Sequence, residues 1–250
     1  MQQFIGIIPA RYASTRFPGK PLADIKGKSM IRRVYEKALE SLNTVIVATD
    51  NESIITEVQN FGGTAILTSD KHKSGTDRCY EALEKYQKIS ELKYEIVINI
   101  QGDEPFIRKD QIELLKNCFD DNSVAIATLI KKIDSYENLF DTNRPKVVVN
   151  RKDEAILFSR STIPHVRGFK KEKWLNIQTF YQHIGMYAYR ADALGKITKL
   201  QQTPLEKAES LEQLRWLENG FKIKTAVTEF ESFGIDTPAD LEKAIKSGIV

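Results

Sequence analysis

The sequence predicts an α/β protein, a mostly parallel sheet sandwiched by helices, with a small β module inserted late in the chain. Short apolar, β-branched runs alternate with longer amphipathic stretches, which is the βαβ rhythm. The runs are nearly continuous in Ile and Val, the pattern of strands covered on both faces and therefore of parallel pairing with right-handed crossovers. After Ile130 two apolar runs are joined by a polar turn, which marks an antiparallel hairpin.

Each element follows in order. "FIGIIP" is the first strand and Ser29 to Leu42 the first helix; "TVIVATD" precedes a helix over Ile54 to Phe61. "TAIL" leads to a helix from Thr76 to Ile89, and "EIVINIQGD" to one from Lys109 to Phe119, before the strand "VAIATLI". "KVVVNRKDEAILFSR" is the hairpin, with "NRKDE" as its turn. The basic segment "HVRGFKKEKWLNIQTF" is expected to be a mobile flap. "QHIGMYAYR" is another strand, and "SLEQLRWLENG" a helix that Gly220 closes. "FKIKTAVTE" and "DTPADLEKAIKSG" supply the last strand and helix, with Asp236 at or just before the cap.

At 250 residues one domain, 1–250, is the expectation, with 145–200 as the approximate insertion. The hydrophobic fraction of 41% and charged fraction of 28% are those of an ordinary globular chain, not a disordered one. A net charge of +3 is too small to argue for a nucleic-acid or membrane partner. No run approaches the roughly 18 apolar residues of a membrane span. "MQQFIGIIPA" lacks a cationic flank and reads as a first strand, not a signal peptide. Cys79 and Cys118 are far apart without CxxC spacing, which suits free thiols in a reducing cytoplasm.

Chemistry concentrates after the strands. "IIPARYASTRFPGKPL" sets Arg11, Arg16 and Lys20 among three prolines and a glycine, with no acid before Asp24. Prolines stiffen its path, so cations and backbone N–H groups can converge on one anion, and a triphosphate fits that demand. It is no Walker A loop, since GxxxxGK[ST] is lacking. A solvated basic loop is the alternative. "INIQGDEPFI" ends a strand at Gln101, turns at Gly102 and presents Asp103 and Glu104, hard oxygens of the kind Mg²⁺ takes together with substrate phosphates; a plain acidic turn is the other reading. Asp236 in "FGIDTPADL" repeats that pattern, although an Asp before a helix is ordinarily a cap. In "KSGTDRCYEAL" Ser74 or Thr76 opens a helix and Arg78 follows, either as an ordinary cap or as part of a nucleotide pocket. Arg160 ends the strand of "FSRSTIP". His183 lies within "YQHIGMY", either as a structural residue or as a donor to a carboxylated substrate.

Taken together, these segments resemble the 3-deoxy-manno-octulosonate cytidylyltransferases, the CMP-Kdo synthetases of lipopolysaccharide synthesis. The opening motif with "QGDEP" points to a wider nucleotidyltransferase group; "FSR", "HIG", "LEQLR" and "GIDTP" narrow it to the Kdo enzymes. The resemblance implies a nucleotide-diphospho-sugar transferase-like, Rossmann-like fold, and transfer of CMP from CTP to Kdo with Mg²⁺, releasing pyrophosphate. It implies that Arg11, Arg16 and Lys20 hold the phosphates, that Pro9, Ala10, Ser74, Arg78 and Gln101 help place the nucleotide, and that Asp103 and Asp236 bind metal. Asp103, Asp236, Lys20 and Arg16 then carry catalysis by charge and positioning. Arg160, His183, Tyr187, Glu212 and Gln213 are the implied sugar contacts, and the inserted module pairs two subunits into a homodimer. A cytidylyltransferase for 8-amino-Kdo or sialic acid, and a non-catalytic nucleotide-binding regulator, are the competing readings.

Overall fold

The computed structural model describes residues 2–13, 16–231 and 234–246. Ser14 and Thr15 of the opening motif, Phe233 of "FGIDTPADL" and the closing residues 247–250 lie outside the described residues. The chain divides into two compact units: unit 1 holds residues 1–113, 188–198 and 232–250, and unit 2 holds 114–187 and 199–231.

Unit 1 opens on β1 (Phe4–Ala10), followed by an antiparallel ribbon of β2 (Asp24–Ile25) and β3 (Lys28–Ser29) that leads into α1 (Met30–Leu39). Then come β4 (Val45–Thr49), α2 (Glu52–Asn60), β5 (Ala65–Leu67), α3 (Gly75–Ser90) and β6 (Ile96–Asn99). β1 has parallel neighbours on both sides, Ile7 lying opposite Ile46 of β4 and Asn99 of β6, and β5 extends the row beyond β4. Ile5, Ile7 and Ile8 are fully buried, as are all residues of β6 but Asn99. That accounts for the unbroken apolar runs, since both faces of the strands are covered.

The helices start where side chains can satisfy their first N–H groups. Ser29 accepts from Arg32 N–H, Asn51 from Ser53 and Ile54, and Ser74 from Asp77. α1 buries Met30, Ile31, Val34, Tyr35 and Ala38, one stripe at helical spacing. A helix over Ala191–Ile197 and a last one over Pro238–Lys246 complete the unit. Ile235, ahead of the last helix, packs with Ile25, Met30 and Ala244 in a core cluster that Phe17 and Phe106 adjoin.

Unit 2 is built on β7 (Ile126–Lys132), β8 (Lys146–Val149), β9 (Ala155–Ser159), β10 (Tyr181–Arg190, through Tyr187) and β11 (Ile223–Val227). β11 runs parallel to β7, with Thr225 opposite Thr128. β8 and β9 form the expected antiparallel hairpin, irregular at Val148 and Val149, and β10 pairs antiparallel with β8 at Tyr181 and Gln182. A helix over Glu212–Glu218 ends at Asn219, and Gly220 follows at φ 81°. The fold class is the one the sequence predicts, mostly parallel strands flanked by helices, with antiparallel pairing in the hairpin region and in the β2–β3 ribbon.

The basic segment expected as a flap is more anchored than its composition suggests. Lys171–Lys173 and Trp174–Ile177 form short helical turns, and Trp174 is buried with its ring 6.2 Å from Phe180, 6.1 Å from Phe140 and 5.0 Å from His165. An aromatic anchor offsets the entropy of ordering a charged loop.

Candidate functional site

At the carboxyl end of β1 and β6 the structure opens a cleft of about 490 Å³. Pro9, Ala10, Arg11, Arg16, Lys20, Ser74, Gln101 and Asp103 all line it, together with Lys73, Gly75 and Gly102. This is where open α/β sheets take ligands.

Backbone constraints place these groups. Gly19, at φ 69°, accepts from Leu22 N–H at 2.8 Å and turns the chain into a short helical turn that carries Lys20 into the cleft. Gly102 stands against β1, and a Cβ there would come 2.9 Å from the Pro9 carbonyl oxygen. Only glycine lets the "QGD" turn approach that closely. Asp236 is brought in from the far end of the sequence, because Ile235 N–H donates to the Asp103 carbonyl at 2.9 Å.

The cap of the last helix is Thr237, not Asp236. Thr237 Oγ1 accepts from Asp240 N–H at 3.2 Å, and the Asp240 carboxylate accepts from Thr237 N–H at 2.9 Å. The Asp236 carboxylate is therefore turned to another task. Its Oδ1 lies 3.3 Å from Lys20 Nζ and 3.2 Å from Arg16 Nη2, while Asp103 Oδ2 lies 2.6 Å from the same Lys20 Nζ. Two carboxylates from segments over 130 positions apart thus share one cation.

Arg78 is placed differently. It is fully buried and does not line the cleft; its guanidinium donates to Thr68 Oγ1 and to Asp50 Oδ2, each at 2.6 Å. It ties the segments that follow β4 and β5 to the start of α3. Nearby, Glu81 accepts from Ser69 N–H at 2.9 Å, pairs with Lys85 at 2.8 Å and contacts His72 Nε2. Burial pushes the Glu81 carboxyl up, and the bonds from Lys85, Ser69 N–H and His72 more than reverse that, holding it at about 2. The anchored loop delivers Lys73 and Ser74 to the cleft. Sequence reasoning missed Lys73, although its place directly before Ser74 in "HKSGTDR" was a usable signal; the Glu81 anchor left none.

The five candidate sugar contacts all lie in unit 2. Arg160 donates from Nε to the Glu209 carbonyl at 2.7 Å and from Nη1 to the Thr142 carbonyl at 3.1 Å. His183 is half-buried, with Nε2 3.0 Å from Thr128 Oγ1. Thr128 Oγ1 also lies 2.9 Å from the Met186 carbonyl and 3.3 Å from the Ile184 carbonyl, either of which accepts its hydroxyl proton. Burial pushes its pKa down to about 3, so the ring is neutral at neutral pH. Tyr187 stands 5.2 Å from His183 and 5.1 Å from Trp216, its hydroxyl pKa raised by burial and then by Glu212. Glu212 accepts from Arg215 Nη2 at 2.6 Å, and Gln213 is buried beside them in sequence.

A strand-end cleft lined by cations on a mostly parallel sheet is the architecture of a nucleotide-binding enzyme. The family model that matches, over residues 5–224, is described as Cytidylyltransferase. A 3-deoxy-manno-octulosonate cytidylyltransferase of Parabacteroides distasonis is 60% identical over 249 residues, covering 98% of each chain. One of Phocaeicola vulgatus is 57% identical over 245 residues, covering 97% of this chain and 96% of that one. The solved structure of CMP:2-keto-3-deoxy-manno-octonic acid synthetase complexed with CTP matches at TM-score 0.90 and 42% identity, covering 99% of this chain and 98% of that chain. A cytidylyltransferase of Leptospira borgpetersenii, at 16% identity and TM-score 0.59, shares the fold. The chain belongs to the cytidylyltransferases, and among them to the 3-deoxy-manno-octulosonate cytidylyltransferase family.

Proposed function

We propose that this protein transfers CMP from CTP to the sugar acid Kdo, releasing pyrophosphate, with Mg²⁺, and so activates the sugar for lipopolysaccharide synthesis. The observation that carries the reading is the convergence of Asp103 and Asp236 on one cation at the mouth of a cleft lined by Arg11, Arg16 and Lys20.

Among the described residues no three His, Cys, Asp or Glu side chains form a ready metal cage. Two hard carboxylates fit Mg²⁺ nevertheless, because this ion commonly takes one or two carboxylates and fills its remaining positions with water and substrate phosphates. Asp103 and Asp236 would hold it; when bound it neutralises phosphate charge and favours ionisation of the attacking hydroxyl.

The chain's own groups supply the rest. Arg11, Arg16 and Lys20 grip the phosphates and stabilise charge that moves toward pyrophosphate as the bond to it breaks. Pro9, Ala10, Ser74 and Gln101 position the nucleotide, and Arg78 acts from behind by fixing the segments ahead of α3. Arg160, His183, Tyr187, Glu212 and Gln213 are assigned to the sugar acid, His183 as a neutral ring. No covalent enzyme intermediate is required, so positioning and electrostatics carry the reaction.

The protein acts in the cytoplasm as a homodimer joined through the 145–200 region, where Ile156 and Leu157 of β9 are exposed; light scattering checks the mass. No described helix is long and apolar enough to cross a membrane. The functional test is pyrophosphate release from CTP and Mg²⁺, with Kdo, 8-amino-Kdo and sialic acid offered in parallel, the other nucleoside triphosphates as controls and an EDTA arm. Release with CTP, Kdo and metal alone is expected. Release with another acid sugar in place of Kdo overturns the acceptor.

A further inference from the structure

The geometry points to Lys20 as a resident counter-ion that keeps the metal-binding carboxylates closed until a triphosphate draws it away. This rests on the reading of Asp103 and Asp236 as the metal pair. Lys20 Nζ lies 2.6 Å from Asp103 Oδ2 and 3.3 Å from Asp236 Oδ1, so one ammonium satisfies an oxygen of each carboxylate. Arg16 adds a second positive charge on Asp236 Oδ1 at 3.2 Å. Lys20 is largely withdrawn from solvent, its side chain 14% exposed, whereas Asp103 and Asp236 are 32% and 47% exposed.

Two consequences follow from charge alone. A divalent cation arriving without nucleotide must displace an ammonium already bonded to the same oxygens, so its affinity for the bare protein is low. A triphosphate offers Lys20 and Arg16 a more highly charged partner within the same cleft. The lysine's flexible four-carbon stem lets the ammonium turn to it without moving the backbone. The carboxylates are then released together, and metal and nucleotide bind with positive coupling, each raising the other's affinity by the same factor. Lys20 thus has two partners in succession, carboxylate and then phosphate, and it holds two like charges together in the interval.

The test is a Mn²⁺ titration of the full-length protein without nucleotide, followed by the free-ion signal in electron paramagnetic resonance. Lys20→Met should bind Mn²⁺ about tenfold tighter than the unsubstituted protein, the scale of one charge-assisted hydrogen bond removed from the competing partner. Lys20→Arg, which keeps the charge, should stay weak, and adding Asp103→Asn to Lys20→Met should abolish the gain. Lys20→Gln serves the same arm should the Met variant not fold. Equal affinity in Lys20→Met and the unsubstituted protein overturns the proposal, as does a gain that Lys20→Arg shares or that survives Asp103→Asn. None of these results bears on which nucleotide or acceptor supports pyrophosphate release, so failure here and failure of the proposed reaction are separable.

Discussion

At the scale of single residues, the carboxylates and the neutral histidine make the sharpest claims. Asp103→Asn and Asp236→Asn should each lower kcat by at least about 100-fold, the scale of one preorganised electrostatic contact, in steady-state pyrophosphate release. Both carboxylates are partly exposed, so circular dichroism should show an unchanged fold. His183 should give ring resonances that stay flat from pH 5 to 8, since burial holds its pKa at about 3. Its linkage sign follows: the unfolded ring takes a proton near 6.5 and the folded one does not, so this contribution to stability is complete above that pH and declines as pH falls toward 3. Several of these placements were legible because strand ends and turns are written locally: "QGD" and "FPGK" announce a close turn and a cation. Asp236 was ambiguous for a local reason too, because the sequence does not say whether Asp236 or Thr237 caps the helix. Lys146 had no signal at all. It sits in "KVVVN" like any strand-edge lysine, yet it is fully buried and donates to the Asp141 and Arg144 carbonyls at 2.7 Å each.

At the scale of elements, the loop between β5 and α3 and the basic segment before β10 depend on single anchors. Glu81→Gln weakens two contacts to the first of these, from Ser69 N–H and His72, and the ion pair with Lys85 within α3. We expect a loss of about 1–2 kcal/mol at pH 7, discounted for partial exposure, in urea denaturation, and a rise in KM for CTP as Lys73 and Ser74 lose their support. The sign with pH is that of a depressed carboxyl: Glu81 contributes fully above about 4.5 and loses its contribution as pH falls toward 2, so the difference between variant and parent should shrink in acid. Trp174→Ala should cost about 3–5 kcal/mol if its cavity does not collapse, and should make residues 165–177 the first site of limited proteolysis. An unchanged cleavage pattern would return that segment to an independent loop. Helices and strands here were readable from periodicity and caps, whereas tertiary anchors such as Glu81 and Trp174 join residues by packing, and packing leaves no fixed spacing in sequence.

At the scale of the whole molecule, the nucleotide cleft is lined by residues of unit 1 alone, and the candidate sugar contacts belong to unit 2. Donor binding is therefore expected to survive damage to the acceptor set. CTP with Mg²⁺ at 100 times its Kd should stabilise the chain by about 2.7 kcal/mol, seen as a rise in Tm, and His183→Asn should keep that rise while losing turnover with Kdo. A variant that lost both would show the two sets to be inseparable. The division into units was not legible in the sequence. Unit 1 recruits residues 188–198 and 232–250 after the chain has built most of unit 2, and composition does not change at those crossings.

The position of β1 has one more consequence. It is bonded on both sides, to β4 and to β6, and its buried isoleucines lead straight into the loop that carries Arg11, Arg16 and Lys20. Amide hydrogen exchange should therefore change abruptly along this short stretch, with slow exchange through Ile8 and fast exchange at Arg11, Tyr12 and Ala13. Saturating CTP should slow the second group and leave the first as it is. The protein would then hold its most adaptable surface on its least adaptable strand, so that a substrate reorders side chains and a loop without loosening the sheet that aims them.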